Sequence, residues 1–147
     1  MRDIKYIVVH CTAGSQKQTV ADIKKFWKSL GWKNNGYHYL ITADGIINNI
    51  TPIEQIANGV AGYNSKSIHV CYVGGIDRKG KAIDNRTDFQ KASLLDILTE
   101  LKSKFPKAKI LGHRDFSTDT NKNGKIDTWE YIKYCPCFDA SEEYKNI

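Results

Sequence analysis

Ile4-Lys5-Tyr6-Ile7-Val8-Val9-His10 is the segment on which the fold turns. Ile4, Ile7, Val8 and Val9 are β-branched, and a short run of that kind reads as a buried strand. The run ends on a histidine, so an imidazole stands at the strand's carboxyl end. Outward from it the next signal is helical. Thr19 starts a helix whose core face is Ile23, Phe26, Trp27 and Leu30, at i, i+3, i+4 and i+7, and Gly31 closes it. Residues 37–41 and 45–50 read as paired strands joined at Ala43-Asp44-Gly45. Residues 67–73 form a further strand that ends at Gly74-Gly75. Thr87 and Gln90 have capping-box spacing for a long helix to about Phe105, stopped by Pro106. Its expected core face is Phe89, Ala92, Leu95, Leu98 and Leu101, widened by Leu94 and Ile97. Residues 109–112 are the last strand, and again a histidine, His113, follows. This order predicts an α/β fold: a single domain with a central mixed β-sheet flanked by helices and its site at the strand ends.

The whole chain is consistent with that reading. Its 147 residues suit one compact domain, and 41% hydrophobic with 26% charged residues is the balance of a soluble globular protein. Lys and Arg number 22 against 16 Asp and Glu, a net charge of +6 that favours anionic partners. Nucleic acid, acidic lipid and a bacterial wall bearing carboxylates and phosphates all qualify. The chain has no nucleic-acid-binding motif and no clustered aromatic-basic face, so no nucleic-acid partner is expected. No apolar run approaches the roughly 18–20 residues of a membrane span, so membrane insertion is not expected either. Arg2-Asp3-Ile4-Lys5 makes no basic n-region and residues 6–9 are too short for an h-region. The expectation is a protein made in the cytoplasm without a signal peptide.

Cysteines stand at 11, 71, 135 and 137. Cys135 and Cys137 flank a single proline, and a bond between them would be strained, so reduced thiols are expected. Cys11 and Cys71 read as small core residues. His10, His113 and Cys135 then form a candidate metal set, because two imidazoles and a thiolate suit Zn²⁺ and leave a fourth tetrahedral position for water. From spacing alone the set is one choice among several. A histidine at a strand end is often structural, Cys137 competes with Cys135, and either thiol with His113 could instead make a thiol hydrolase.

At these positions the chain resembles the type 2 N-acetylmuramoyl-L-alanine amidases, the family of the bacteriophage zinc amidases and the peptidoglycan recognition proteins. The resemblance is carried by Val8-Val9-His10-Cys11-Thr12-Ala13, by Gly31-Trp32 with Gly36-Tyr37-His38-Tyr39, and by residues 64–75 of the central strand. It continues through Leu111-Gly112-His113-Arg114-Asp115 and through Lys133 to Asp139, in order along nearly the whole chain. It implies one amidase domain over residues 1–147, acting on the amide between the lactyl group of N-acetylmuramic acid and L-alanine of the stem peptide. It also implies Zn²⁺ on His10, His113 and Cys135, catalytic roles for Tyr37 and Lys133, and peptidoglycan as partner of a monomer. Phage endolysin and exported wall-lytic effector both fit that implication, and a non-catalytic peptidoglycan-binding module is the alternative within the superfamily.

The departures from the family are specific. The stretch Gly59-Val60-Ala61-Gly62-Tyr63-Asn64 lacks a histidine that many members carry there, and a glycine common in the central strand is His69. His38 alternates away from Tyr37 and reads as a core residue or an outer partner of the site rather than a metal ligand. Between His113 and Cys135 lies a long polar connection, an insertion near residues 117–131. Within it Asp119, Asn121, Asn123, Lys125, Asp127 and Glu130 follow the EF-hand calcium-loop pattern, with Gly124 at the sharp turn. The expectation is a structural Ca²⁺ loop or, in its absence, a solvated polar loop, with residues 129–132 as a short following helix.

Overall fold

The computed structural model describes residues 2–131 and 133–147. Five strands among these residues form one mixed sheet: β1 (Tyr6–Cys11), β2 (Tyr39–Ile41), β3 (Ile47–Asn49), β4 (Ser67–Tyr72) and β5 (Lys109–Gly112). Their spatial order is β3-β2-β4-β1-β5, with β1 parallel to both β4 and β5, β2 parallel to β4, and only the β2–β3 pair antiparallel. The run that opened the reading is thus an interior strand, paired on both edges. That position explains its unbroken apolar character. Among the described residues three α-helices accompany the sheet: α1 (Val20–Ser29), α2 (Asp88–Lys104) and the short α3 (Ala140–Glu143).

Alternation along the strands divides the interior in two. Ile7, Val9 and Cys11 of β1 join Ile68, Val70 and Tyr72 of β4 in the core that α2 covers with Leu94, Ile97, Leu98 and Leu101. On the opposite face Cys71, Val73 and Leu40 pack with Ile23 and Trp27 of α1. In the parallel register Val8 pairs with His69 and His10 with Cys71, so His10 and His69 both belong to the α1 face.

Both long helices begin where the sequence predicts. Thr19 and Thr87 each accept from the backbone N–H of N3, and Asp22 and Gln90 return the bond to the cap. The faces the helices bury match the expected ones in part, with Leu94, Ile97, Leu98 and Leu101 of α2 buried as predicted. Ile23 and Trp27 of α1 face the sheet, but Phe26 and Leu30 are 58% and 50% exposed. The stripe of α2 is likewise rotated, leaving Ala92 exposed and Phe89 and Leu95 at 69% and 47%. The cause is Gln90, fully buried, whose Nε2 donates to the carbonyls of Ile41 at 3.1 Å and Val73 at 2.9 Å. These bonds join the first turn of α2 to the ends of β2 and β4, and they set the rotation of everything after it.

Candidate metal centre

His10 reaches the site from the carboxyl end of β1, one residue before the strand's last, and is 1% exposed. His113 follows β5 directly, in a 3₁₀ turn spanning His113–Phe116. Cys135 comes from far along the chain and is brought in by local packing. Pro136 Cδ lies 2.8 Å from where a Cβ on Gly112 would stand, so only glycine admits the proline there. The Cys135 carbonyl accepts from the Arg114 N–H at 2.9 Å, and the Pro136 carbonyl from the Tyr72 hydroxyl at 2.6 Å. The result is that one donor atom from each of His10, His113 and Cys135 lies within 4.8 Å of the others. Cys137 points elsewhere: its Sγ is 3.8 Å from Cys11 Sγ and 3.4 Å from the Gly75 carbonyl. The Cys135 sulfur instead accepts the Cys11 N–H at 3.0 Å. All four cysteines are free.

The electrostatics suit a cation with neutral nitrogen ligands. Burial, reinforced by His69 and His113, holds His10 well below the ordinary imidazole value. Burial with Lys133 nearby pushes His113 down to about 4. Both rings are therefore neutral at neutral pH and keep a lone pair for a metal. Two imidazoles and one thiol brought together in this way make a donor set that suits a metal ion such as zinc.

Tyr37 and Lys133 stand at this centre. The Tyr37 ring packs 5.1 Å from His10 and 5.4 Å from the Trp27 indole. Burial, with Cys71, Cys135 and Cys11 adding to it, raises the phenol well above its usual value, so it remains a proton donor. Lys133 is exposed and lines two adjoining clefts of about 420 and 540 Å³, both of which reach His113. Phe26 and Leu30, misplaced in the core by periodicity, wall the first cleft together with Trp32. Their apolar side chains flank the site.

His69, noted in the sequence as a departure but given no role there, stands beside the centre. His69 Nδ1 lies 2.9 Å from His10 Nε2, and His69 Nε2 lies 2.9 Å from Asn64 Oδ1. His38 is buried as expected and stacks on His69 at 5.9 Å with 13° between the rings. The one available signal was that His69 departs from the family's glycine.

The calcium-pattern loop folds on itself. Asp119 accepts from the N–H groups of Asn123 and Gly124 at 3.3 and 2.8 Å. Asp127 Oδ2 accepts from the side-chain amides of Asn121 and Asn123. Lys125 donates its backbone N–H to Asn123 Oδ1. Glu130 accepts from the backbone of Thr120, Asn121 and Asp127. Among the described residues the one converging group of His, Cys, Asp or Glu is His10–His113–Cys135, and the loop's carboxylates do not form a second. A 3₁₀ turn, Thr128–Glu130, follows in place of the expected helix, and Ile132 lies outside the described residues.

Comparison with known proteins gives this arrangement its context. The N-acetylmuramoyl-L-alanine amidase family model matches residues 1–128, ending ahead of Lys133 and Cys135. An endolysin of Enterobacteria phage K11 is 36% identical over 123 residues, covering 82% of each chain. An endolysin of Klebsiella phage KP32 is 34% identical over 140 residues, covering 94% of this chain and 83% of its own. Among solved structures, the Ph2119 endolysin from the Thermus scotoductus MAT2119 bacteriophage Ph2119 superposes with a TM-score of 0.68 at 29% identity. That superposition covers 90% of this chain and 77% of the other. The chain belongs to the N-acetylmuramoyl-L-alanine amidase family, as an enzyme of the endolysin type.

Proposed function

We propose that this amidase is zinc-dependent, that His10, His113 and Cys135 hold the metal, and that it cleaves the bond between the N-acetylmuramic acid lactyl group and L-alanine. The observation that carries the proposal is the convergence of two neutral imidazoles and a thiol within 4.8 Å, beside a cleft lined by Tyr37 and Lys133. Zinc bound there supplies Lewis acidity toward the scissile carbonyl and lowers the pKa of a water molecule. The chain's own groups do the rest. Lys133 presents an ammonium where negative charge develops on the carbonyl oxygen, in a cleft whose apolar walls strengthen the attraction. Tyr37, kept protonated by burial, lines the same cleft and has a phenol O–H to donate there. His10 and Cys135, 1% and 8% exposed, are held by the sheet and by the Gly112–Pro136 contact. In this reading the protein acts as a monomer on intact wall after lysis or export, its net charge of +6 drawing it to an anionic polymer.

Digestion of purified peptidoglycan with and without a chelator tests the proposal. Mass spectrometry is expected to find free stem peptides beginning at L-alanine, and the chelator to abolish them until zinc is restored. Activity that persists in metal-stripped protein would favour the thiol-hydrolase reading, and cleaved glycan bonds would reject the amidase assignment of the bond.

A further inference from the structure

The two departures from the family pattern, a stretch 59–64 without histidine and a histidine at 69, meet in space. A methyl group built on Gly59 would overlap the His69 imidazole. The ring occupies the room that Gly59 leaves empty, and from there it reaches His10. Building on the zinc reading above, we propose that His69 is a positioning residue that fixes the His10 tautomer and presents His10 Nδ1 to the metal.

The argument is one of hydrogen-bond directions. Asn64 Oδ1 receives the backbone N–H of Gly59 at 3.1 Å and of Val60 at 2.8 Å. Two backbone donors on one atom identify it as the amide oxygen, an acceptor only. His69 Nε2, 2.9 Å from the same oxygen, must therefore carry a proton. A neutral imidazole has one N–H, so His69 Nδ1 is left with a lone pair. That lone pair faces His10 Nε2 at 2.9 Å, and His10 Nε2 must be the donor. By the same count His10 Nδ1 carries no proton and is free to bind a cation. The chain of assignments runs from two backbone amides to the metal ligand without a choice at any link.

The His69 ring is itself held. Its backbone N–H donates to His38 Nδ1 at 3.0 Å, and His38 Nε2 donates in turn to the Gln55 carbonyl at 2.8 Å. His38 also stacks against it. His69 thus sits on an interior strand, between a stacked neighbour and a pinned acceptor, as an outer partner of a metal-binding histidine should.

Two measurements test the inference. Nitrogen-15 NMR of the metal-free protein reads the tautomer directly: a protonated Nε2 on His10 is expected, and a protonated Nδ1 would overturn the proposal. Zinc affinity, by competition with a chromophoric chelator, reads the consequence. His69→Leu removes the acceptor and is expected to weaken zinc by about 10–100-fold. His69→Asn places Oδ1 where Nδ1 stood and is expected to recover most of that loss, with the cobalt-substituted absorption spectrum restored alongside it. A folded His69→Leu protein, verified by circular dichroism, that binds zinc as tightly as the parent also overturns the proposal. Should His69→Leu fail to fold, the NMR result on the parent protein decides alone. Failure of the parent to bind zinc at all would remove the metal centre while leaving the tautomer measurable.

Discussion

Single residues divide the work of the site according to how firmly they are held. Cys135 and Cys137 are two positions apart, yet only the first faces the histidines, because Cys137 pairs its thiol with Cys11 and the Gly75 carbonyl. Cys135→Ser is therefore expected to lose stoichiometric zinc by elemental analysis, whereas Cys137→Ser retains it. The reverse result would exchange the two assignments. Lys133 contributes differently, since it is exposed and lines the clefts that reach His113. Lys133→Ala is expected to lower kcat by about 10²–10³ while zinc content stays at the parent level. A loss confined to KM would place Lys133 in binding of the wall polymer instead. Local sequence rules could not separate the two thiols: their roles depend on Pro136 lodging against Gly112, a contact between segments far apart in sequence.

At the scale of elements, beginnings were legible and facings were not. Thr19 and Thr87 mark their helices because the capping bond is made within four residues, entirely inside the local sequence. Which side of α2 meets the sheet is decided by Gln90 bonding to β-strand ends some 17 and 49 residues away, which no helical period encodes. The facing of His69 was equally hidden, since it follows from the register of β4 against β1. Gln90→Leu tests the first point. It leaves the Val73 carbonyl without its buried donor and breaks the capping box, so chemical denaturation should show a loss of about 1–3 kcal/mol. A neutral outcome would mean that Leu94, Ile97, Leu98 and Leu101 orient the helix by themselves. The loop before Cys135 depends similarly on Glu130, whose carboxylate, held below its usual value by the Asp127 N–H and by Thr120, ties both ends of the turn. Glu130→Gln is expected to make residues 119–130 the earliest site of proteolytic nicking, with the sheet still folded.

For the molecule as a whole, the buried histidines give the metal-free protein a distinctive pH dependence. Burial is the leading cause in each: His69 falls to about 3, His38 and His113 to about 4, and His10 well below its ordinary value. In the unfolded chain these rings titrate near 6.5. Between that value and the folded ones the unfolded state binds more protons, so stability rises with pH across the window. The contribution is fully present above about pH 6.5 and drains away as pH falls toward 4, each ring adding about 1.4 kcal/mol per pH unit. Carboxylates with lowered values, Asp84 and Glu143 on Arg86, contribute only at still lower pH. Denaturation of metal-free protein in steps from pH 7.5 to 4.5 should therefore show a steep fall beginning near 6.5, too high for carboxylates to cause. Zinc should displace that fall to lower pH by occupying the neutral rings of His10 and His113. A stability profile flat from pH 7 to 5 would mean that solvent reaches the α1 face of the sheet, and the dry setting that keeps the two histidines ready for metal would be lost with it.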